Sequence, residues 1–340
     1  MKMNERDYWI AFSAFPQIGP KRFNLLKDYF GSARKAWEAP AKAFLEIGLK
    51  DDLVQKFVDF RKTFNLSSYF LRLKKAGFEW LCYEDKNYPE NLKNIDGPPF
   101  VIYTLGELKS ADCLSLAVVG ARKMTGYGRQ VTEVLVSDLT ASGLTIVSGL
   151  AYGVDSVAHN TAIDSGGRTI GVWAGGLDTI FSGYRKVLVD KILKTGQGAV
   201  ISEFPLGFNP QPSTFPQRNR VISGLSLGVL VVEAAEKSGS LITASHAANQ
   251  GREVFAVPGP ITSGLSKGTA DLIKKGAKLV YNVKDILEEL DIKSKIETQK
   301  AKEILPENQE EKIILDFLRN EKKQIDEIIK ETGMEAGKVA

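Results

Sequence analysis

The sequence contains few of the residues that build metal sites and disulfide frameworks. Its 340 residues include two cysteines, Cys82 and Cys113, and two histidines, His159 and His246. Two cysteines cannot form a disulfide framework, and such a low content is typical of a reducing compartment. Because there is no Cys/His cluster, the sequence gives no basis for a structural zinc site. We expect neither a metal nor a cofactor.

Long hydrophobic runs are also missing. No apolar stretch approaches the ~18 residues of a membrane-spanning helix, and no signal-type apolar core follows the charged residues 1–7. We therefore expect a cytoplasmic protein without membrane association. The composition, 43% hydrophobic and 25% charged, is that of an ordinary globular protein. The net charge of +4 is too small over this length to identify an acidic partner.

What the sequence does have is a repeated pattern of apolar run, glycine-containing loop and amphipathic segment. The first three apolar runs lie at 114–119, 144–147 and 169–173. Further runs at 198–203, 227–232, 253–257 and 278–281 bring the predicted sheet to seven strands. This alternation is typical of an α/β fold with a doubly wound, mostly parallel sheet. Because ligands on such sheets bind at the carboxyl ends of the strands, the first three loops point to one crevice.

The crevice does not have the residues of a dinucleotide site. Arg122 occupies the second-glycine position of the Gly-x-Gly-x-x-Gly fingerprint, and Ser148 stands where an NAD site has Asp or Glu. No P-loop motif is present in the sequence. The backbone N–H groups at helix N-termini and one arginine remain, which indicates an anion site with phosphate as the natural anion. The alternative is that the glycines only make tight strand-to-helix turns.

A second chemical cluster lies between the fourth and fifth predicted strands, at Phe215-Pro216-Gln217-Arg218-Asn219-Arg220. Arginine forks match phosphate oxygens in pairs. A neighbouring aromatic ring offers a stacking face for an unpaired base, worth roughly 1–3 kcal/mol per base. This combination suits a single strand better than a duplex groove. In the alternative interpretation, the two arginines bond carbonyl groups at strand ends, or Glu203 and Glu233.

A catalytic alternative rests on four titratable residues. Asp155 and His159 are four residues apart and share a helix face, and Glu203 and Glu233 end two predicted strands near the crevice. A carboxylate there could act in N-glycosidic hydrolysis, as in a Rossmann-like enzyme or sensor that takes a nucleotide. However, the sequence lacks a nucleophile set and metal ligands. Asp155 fits a helix N-cap equally well, and His159 fits a packed core position.

The remaining sequence divides into segments of different character. The predicted segments are a helical domain at 4–76, a connector with a strand or two at 77–113, the sheet domain at 114–285, a charged linker at 286–308 and a helical tail at 309–340. Within the first segment, Ile18-Gly19-Pro20-Lys21-Arg22 resembles the turn of a helix-hairpin-helix, whose amides can contact a phosphate. A plain helix–helix turn is the alternative.

Several motifs occur in an order that is specific as a set. They are Val118–Arg122, Ser148–Asp155 followed by Ala158-His159, Ser202–Pro205, Phe215–Arg220, Val232–Ala234 with Ser238–Ser240, and Val257–Gly259. Over roughly residues 5 to 285 this series resembles the DNA-processing protein A (DprA/Smf) family of bacteria. The resemblance implies an extended Rossmann-like domain behind a small, sterile-alpha-motif-like helical domain. It also implies a C-terminal winged helix, which residues 309–340 begin but do not complete.

The resemblance further implies a function. Members of the family are not known as enzymes; they bind single-stranded DNA, protect incoming strands during natural transformation and load the recombinase RecA. They also self-associate through the Rossmann-like domain, which implies a homodimer. Carried over by position, Arg122 and the amides around residues 148–153 would contact the DNA backbone, and Arg218 and Arg220 would line the same basic pocket.

The chain departs from the family pattern after Gly176-Leu177-Asp178. The family usually has a Tyr-Pro pair there, followed by a DNA-contacting lysine, whereas this chain has Phe181-Ser182-Gly183-Tyr184-Arg185-Lys186. Gly183 takes the lysine position, and Arg185 or Lys186 is the candidate replacement. The predicted DNA-binding residues are Arg122, Lys123, Ser148, Gly149, Tyr152, Gly153, Phe181, Arg185, Lys186, Phe215, Arg218, Asn219, Arg220, Ser238, Gly239 and Ser240.

Overall fold

The computed structural model describes most of the chain. The described residues are 4–180, 183–292, 295, 311, 313–314, 318, 324–334 and 337. They fall into two compact units, residues 1–286 and 287–340. In the second unit, a helix at Ile325–Thr332 begins with a capping box between Gln324 and Glu327. Most of the predicted linker and much of the predicted C-terminal tail lie outside the described residues.

The first unit begins with six helices. They are α1 (Glu5–Ser13), α2 (Pro20–Phe30), α3 (Ala33–Glu38), α4 (Ala41–Glu46), α5 (Asp51–Thr63) and α6 (Leu66–Lys75). Asn4 caps α1, since its side chain accepts from the Asp7 amide while the Asp7 carboxylate accepts from the Asn4 amide. Gly19 and Pro20 start α2, and Gly31 ends it in the left-handed region at φ 79°. The predicted helical character of this stretch is confirmed.

Aromatic rings form the core of these helices and connect them to the rest of the unit. Phe12 stacks on Phe57 at 5.3 Å between ring centroids and meets the edge of Phe23 at 5.4 Å. Phe23 in turn stacks on Phe100 at 4.0 Å. Since Phe100 directly precedes a strand of the sheet, this stack fixes the helices against the sheet.

A nine-stranded sheet follows. Its strands are β1 (Glu79–Cys82), β2 (Val101–Gly106), β3 (Ser115–Val119), β4 (Thr145–Ser148), β5 (Thr169–Val172), β6 (Gly198–Ser202), β7 (Gly228–Val231), β8 (Glu253–Ala256) and β9 (Lys278–Leu279). Their spatial order is β1-β2-β6-β5-β4-β3-β7-β8-β9. The pairs from β6 to β9 are parallel, whereas β1 and β2 pair antiparallel at one edge.

The prediction of seven strands in the sheet was wrong by two. The stretch at 77–113 supplies β1 and β2, and β2 pairs with the outer edge of β6, with Tyr103 opposite Ser202. Every residue of β6 is buried, so its outer edge needs a covering strand. The α/β class and the mostly parallel sheet are confirmed.

Further helices lie between the strands or directly after them along the chain. They are α7 (Glu90–Lys93), α8 (Gly126–Ala141), α9 (Val154–Asp164), α10 (Gly183–Lys194), α11 (Thr214–Leu225), α12 (Gly239–Asn249), α13 (Lys267–Lys274) and α14 (Val283–Glu289). Successive strands run outward from β3 in both directions, first through β4 to β6 and then through β7 to β9. The point where the order reverses lies beside β3, and the crevice at its carboxyl end is where such sheets bind ligands. In the described part of the chain, no helix is both long and apolar enough to span a bilayer.

Candidate nucleic-acid interface

The loops after β3 and β4 meet at the reversal point. The Val154 amide donates to the Ala121 carbonyl at 3.2 Å, which holds the β4 loop against the β3 loop. Gly153 has φ 80°, and a Cβ at this position would collide with the Ala121 carbonyl oxygen. Glycine is therefore required at this position by both conformation and space. This contact joins two of the three loops that were predicted to share one crevice.

Asp155 organises the β4 loop from the first turn of α9. Its carboxylate accepts from the Gly149 amide at 3.1 Å and the Ala151 amide at 3.4 Å. Burial raises the pKa of Asp155, while nearby Arg218 and the two amides act in the opposite direction. These two amides of the predicted anion-binding loop are thus directed to Asp155.

Arg218, on α11, lies beneath the same loop and is only 5% exposed. Its guanidinium donates to the Gly149 carbonyl and, at 2.7 Å, to the Val172 carbonyl at the end of β5. Burial lowers the pKa of Arg218 to about 10; Asp155 opposes this, and the positive charges of Arg122 and Arg185 add to it. Three arginines therefore lie close enough for their charges to interact.

Many of the predicted site residues line one cavity of about 450 Å³. We call it the glycine-loop cavity. Seven predicted residues line it, namely Arg122, Phe215, Arg218, Asn219, Ser238, Gly239 and Ser240. The exposed Arg122 guanidinium lies 5.7 Å from the centroid of the Phe215 ring, within cation–π range. The cavity thus combines an exposed cation, an aromatic ring and hydroxyl groups.

A second group of predicted residues surrounds Arg185, at the start of α10. Its Nε donates to the Leu150 carbonyl at 3.2 Å, and its guanidinium lies 5.1 Å from the Tyr152 ring and 5.4 Å from the Trp173 ring. Tyr152 also packs at 5.2 Å on Tyr184, and it remains 50% exposed. The result is a cation fixed between aromatic rings, with one ring open to solvent.

Sequence reasoning missed Trp173 and Tyr184 in this group. Trp173 directly follows β5, and Tyr184 directly precedes Arg185. The position of Trp173 at the carboxyl end of a strand was the signal that could have identified it.

The other predicted residues lie in varied surroundings. Ser148 is buried and donates to the Val118 carbonyl at 2.6 Å, and Lys123 is exposed in the loop after β3. Lys186 pairs with Asp190 one helical turn away. Arg220 donates to the Gly97 carbonyl at 2.7 Å and pairs with Glu203. Phe181 lies outside the described residues.

The four residues of the catalytic alternative all have structural partners. Asp155 holds the β4 loop, and Glu203 pairs with Arg220. Glu233 accepts from the Thr125 hydroxyl at 2.6 Å and the Thr125 amide at 2.9 Å, at the start of α8. His159 is fully buried, with Nδ1 at 2.6 Å from the Thr169 hydroxyl. Among the described residues, no group of three or more His, Cys, Asp or Glu side chains is arranged to hold a metal ion.

Comparison with known proteins identifies the family. The family model of DNA recombination-mediator protein A matches residues 79–291. The chain belongs to this family. Protein Smf of Synechocystis is 34% identical over 311 residues, covering 90% of this chain and 78% of the relative. DNA processing protein DprA of Bacillus subtilis is 43% identical over 218 residues, covering 64% and 73%.

Solved structures agree with this assignment. The crystal structure of DNA processing protein A from Streptococcus pneumoniae is 34% identical, has a TM-score of 0.71 and covers 85% of this chain and 99% of its own. A solved structure of DNA processing protein A from Helicobacter pylori is 31% identical, has a TM-score of 0.56 and covers 63% of this chain and 95% of its own. The latter is described as revealing a unique single-stranded DNA binding mode. The family resemblance and the fold expected from the sequence are confirmed.

His159 should make stability depend on pH. Burial lowers its pKa from the ordinary 6.5 to about 3. Between these pH values the unfolded chain binds a proton that the folded protein does not. The contribution of His159 to the free energy of unfolding is therefore fully present above pH 6.5 and is lost as the pH falls toward 3. We expect wild type to lose about 1.4 kcal/mol per pH unit below pH 6.5 relative to His159→Gln.

The measurement is urea unfolding of wild type and His159→Gln at several pH values. His246→Gln is the matched control, since His246 is only half-buried and should give a smaller difference. Parallel stability curves for wild type and His159→Gln would show that the buried histidine takes up its proton as readily as an exposed one.

Proposed function

We propose that this protein binds single-stranded DNA and handles it for homologous recombination, without enzymatic activity. The observation that carries the proposal is the cluster of Arg122, Arg185 and Arg218 at the carboxyl ends of β3, β4 and β5. Two of these cations lie against aromatic rings, Phe215 and Tyr152. The single-stranded DNA binding described for the Helicobacter pylori relative supports the same ligand.

The exposure of each arginine determines its proposed role. Arg122 is exposed, so its guanidinium can pair with a phosphate. Arg218 is buried and committed to carbonyl groups, so it positions the loops and adds positive potential. Arg185 is half-buried and fixed between rings, and we propose that it replaces the family lysine. Binding of this kind tolerates any base sequence, because every base can stack.

The same geometry is unfavourable for N-glycosidic hydrolysis. A catalytic base needs a carboxylate oxygen or ring nitrogen that faces the substrate. Asp155 accepts from loop amides, and Glu203 pairs with Arg220. Glu233 accepts from the Thr125 amide at the start of α8. The Asp155 carboxylate accepts from the Gly149 and Ala151 amides of its own loop, as expected of a structural anchor.

The first test is strand binding by an Arg122→Ala variant. We expect wild type to bind labelled oligo-dT more tightly than the matching duplex, with affinity falling as salt rises. Arg122→Ala should lower the oligo-dT affinity about tenfold or more and reduce the salt slope by about 0.7, because one phosphate contact is lost. Fluorescence anisotropy across a salt series measures both quantities.

Arg129→Ala is the matched control, since Arg129 is exposed on α8 and pairs with Glu133 at 3.6 Å. It should bind like wild type. Normal binding by Arg122→Ala, or no preference for single strands, would count against the proposal. Saturable binding of a free nucleotide with release of its base would favour the enzyme alternative.

We further propose that the bound strand is protected and passed to the RecA recombinase during natural transformation, in the cytoplasm. The family description as a recombination mediator supports this step. On oligo-dT coated with single-strand-binding protein, wild type should shorten the lag before RecA hydrolyses ATP, and Arg122→Ala should not. An unchanged lag with a protein that binds the strand would refute loading while leaving binding intact.

We also propose that the protein works as a homodimer formed through the sheet domain. Apolar side chains stand exposed near the carboxyl ends of β8 and β9, with Ile261 98% and Tyr281 85% exposed. Burying these side chains against a second copy would gain free energy. Ile261→Glu combined with Tyr281→Glu should convert a dimer to a monomer in multi-angle light scattering. A monomeric wild type would exclude the proposal.

A further inference from the structure

A second cavity lies on the other side of α11, between the N-terminal helices and the sheet. It has a volume of about 590 Å³, and we call it the helix–sheet cavity. Its walls come from the turn between α1 and α2, the start of β2, the loop after β6, and α11. The lining includes Ile18–Arg22, the turn that resembles a helix-hairpin-helix. Among the predicted DNA-binding residues, Arg220 lines this cavity and not the glycine-loop cavity.

The lining chemistry fits one nucleotide of an unpaired strand. Apolar surface comes from Pro16, Ile18, Phe204 and Pro205. Gln17 and Gln217 are exposed and supply amide donors and acceptors. Such a mixture of apolar wall and polar groups suits a base that packs against the wall and hydrogen-bonds at its edge.

Two cations at the same cavity can meet a phosphate. Lys21 pairs with Asp96 at 2.7 Å, but both side chains are at least three-quarters exposed, with values of 76% and 84%. Such a surface pair is weak and yields readily to a phosphate. Arg22 is exposed and uses one nitrogen to donate to the Gln17 carbonyl at 2.8 Å, which leaves other donors of its guanidinium for a ligand.

Arg220 and Glu203 form the inner wall. They pair with each other and are largely buried, with 17% and 12% of their side chains exposed. Burial raises the pKa of Glu203, and the adjacent Arg220 opposes this shift. Because this pair offsets its own charges, the positive character of the cavity comes from Arg22, which has no salt bridge among the described residues, and from Lys21 once a phosphate displaces Asp96.

Helix α11 joins the two cavities. Phe215, Asn219 and Ile222 follow helical spacing on the face toward the glycine-loop cavity, whereas Gln217 and Arg220, three residues apart, face the helix–sheet cavity. A helix with its side chains is about 10 Å across. A strand that leaves the first cavity over the first turn of α11 therefore has a short path to the second.

We propose that the helix–sheet cavity is a second subsite for single-stranded DNA, which takes a nucleotide of the strand that continues from the glycine-loop cavity. This inference rests on the proposed function, because it needs a strand bound at Arg122. It predicts a footprint longer than the glycine-loop cavity alone would give. Lys21 and Arg22 contact the phosphates there, and Gln217 contacts the base.

The test compares Lys21→Glu/Arg22→Glu with wild type on dT oligomers of about 4 to about 16 nucleotides. The longest oligomers should lose about tenfold in affinity and about 1.4 in salt slope, because two phosphate contacts vanish. The shortest oligomers, which fill only the glycine-loop cavity, should bind as they do to wild type. Gln217→Glu, an isosteric change at an exposed site, should weaken only the long oligomers.

Lys35→Glu/Lys42→Glu is the matched control, since both lysines are exposed on the N-terminal helices and line neither cavity. It should bind every length like wild type. Equal affinity of the Lys21/Arg22 variant and wild type at all lengths would overturn the second subsite, as would an equal loss at all lengths. Arg122→Ala reports separately on the proposed function, because it should weaken short and long oligomers alike.

Discussion

The architecture of the site depends on burying the charge of Arg218. A guanidinium withdrawn from water costs several kcal/mol unless its donors and its charge are satisfied. Here the carbonyls of Gly149 and Val172 take its donors and Asp155 supplies the opposite charge. Asp155 in turn accepts from amides of the β4 loop. One arginine therefore fixes the ends of β4 and β5 and the start of α9.

This arrangement also explains why small residues surround the crevice. A Cβ on Gly149 would collide with the Arg218 guanidinium, and one on Gly128 would collide with the Glu233 carboxylate. Leu150 completes the loop in the left-handed region at φ 55°, which costs roughly 1–3 kcal/mol. Its buried side chain and the hydrogen bond from Arg185 to its carbonyl hold it there. The buried polar network alone therefore requires glycine at these positions, whether or not a ligand also needs the space.

The sheet and the crevice could be predicted because their causes are local. Strands buried on both faces appear as apolar runs, and parallel order places their loops at one edge. The pairing of β2 with β6 could not be predicted, since antiparallel edge pairing depends on tertiary contacts such as the stack of Phe100 on Phe23. Sequence also gives no way to distinguish Arg122 from Arg218. Both are arginines near glycines or strand ends, and only the packing of α11 makes one exposed and the other buried.

In the proposed function Arg185 takes the place of the family lysine, and this exchange would change how the cation is held. A lysine ammonium is a point charge on a flexible stem, whereas a guanidinium is planar and stacks on aromatic faces. Arg185 lies against both Tyr152 and Trp173 and is tied to the Leu150 carbonyl. Such a cation loses little conformational entropy when a phosphate arrives, because its position is already fixed. The Tyr152 ring beside it is half-exposed, so a cation and an accessible aromatic ring lie in one preformed unit, as the proposed binding of a phosphate and an unpaired base requires.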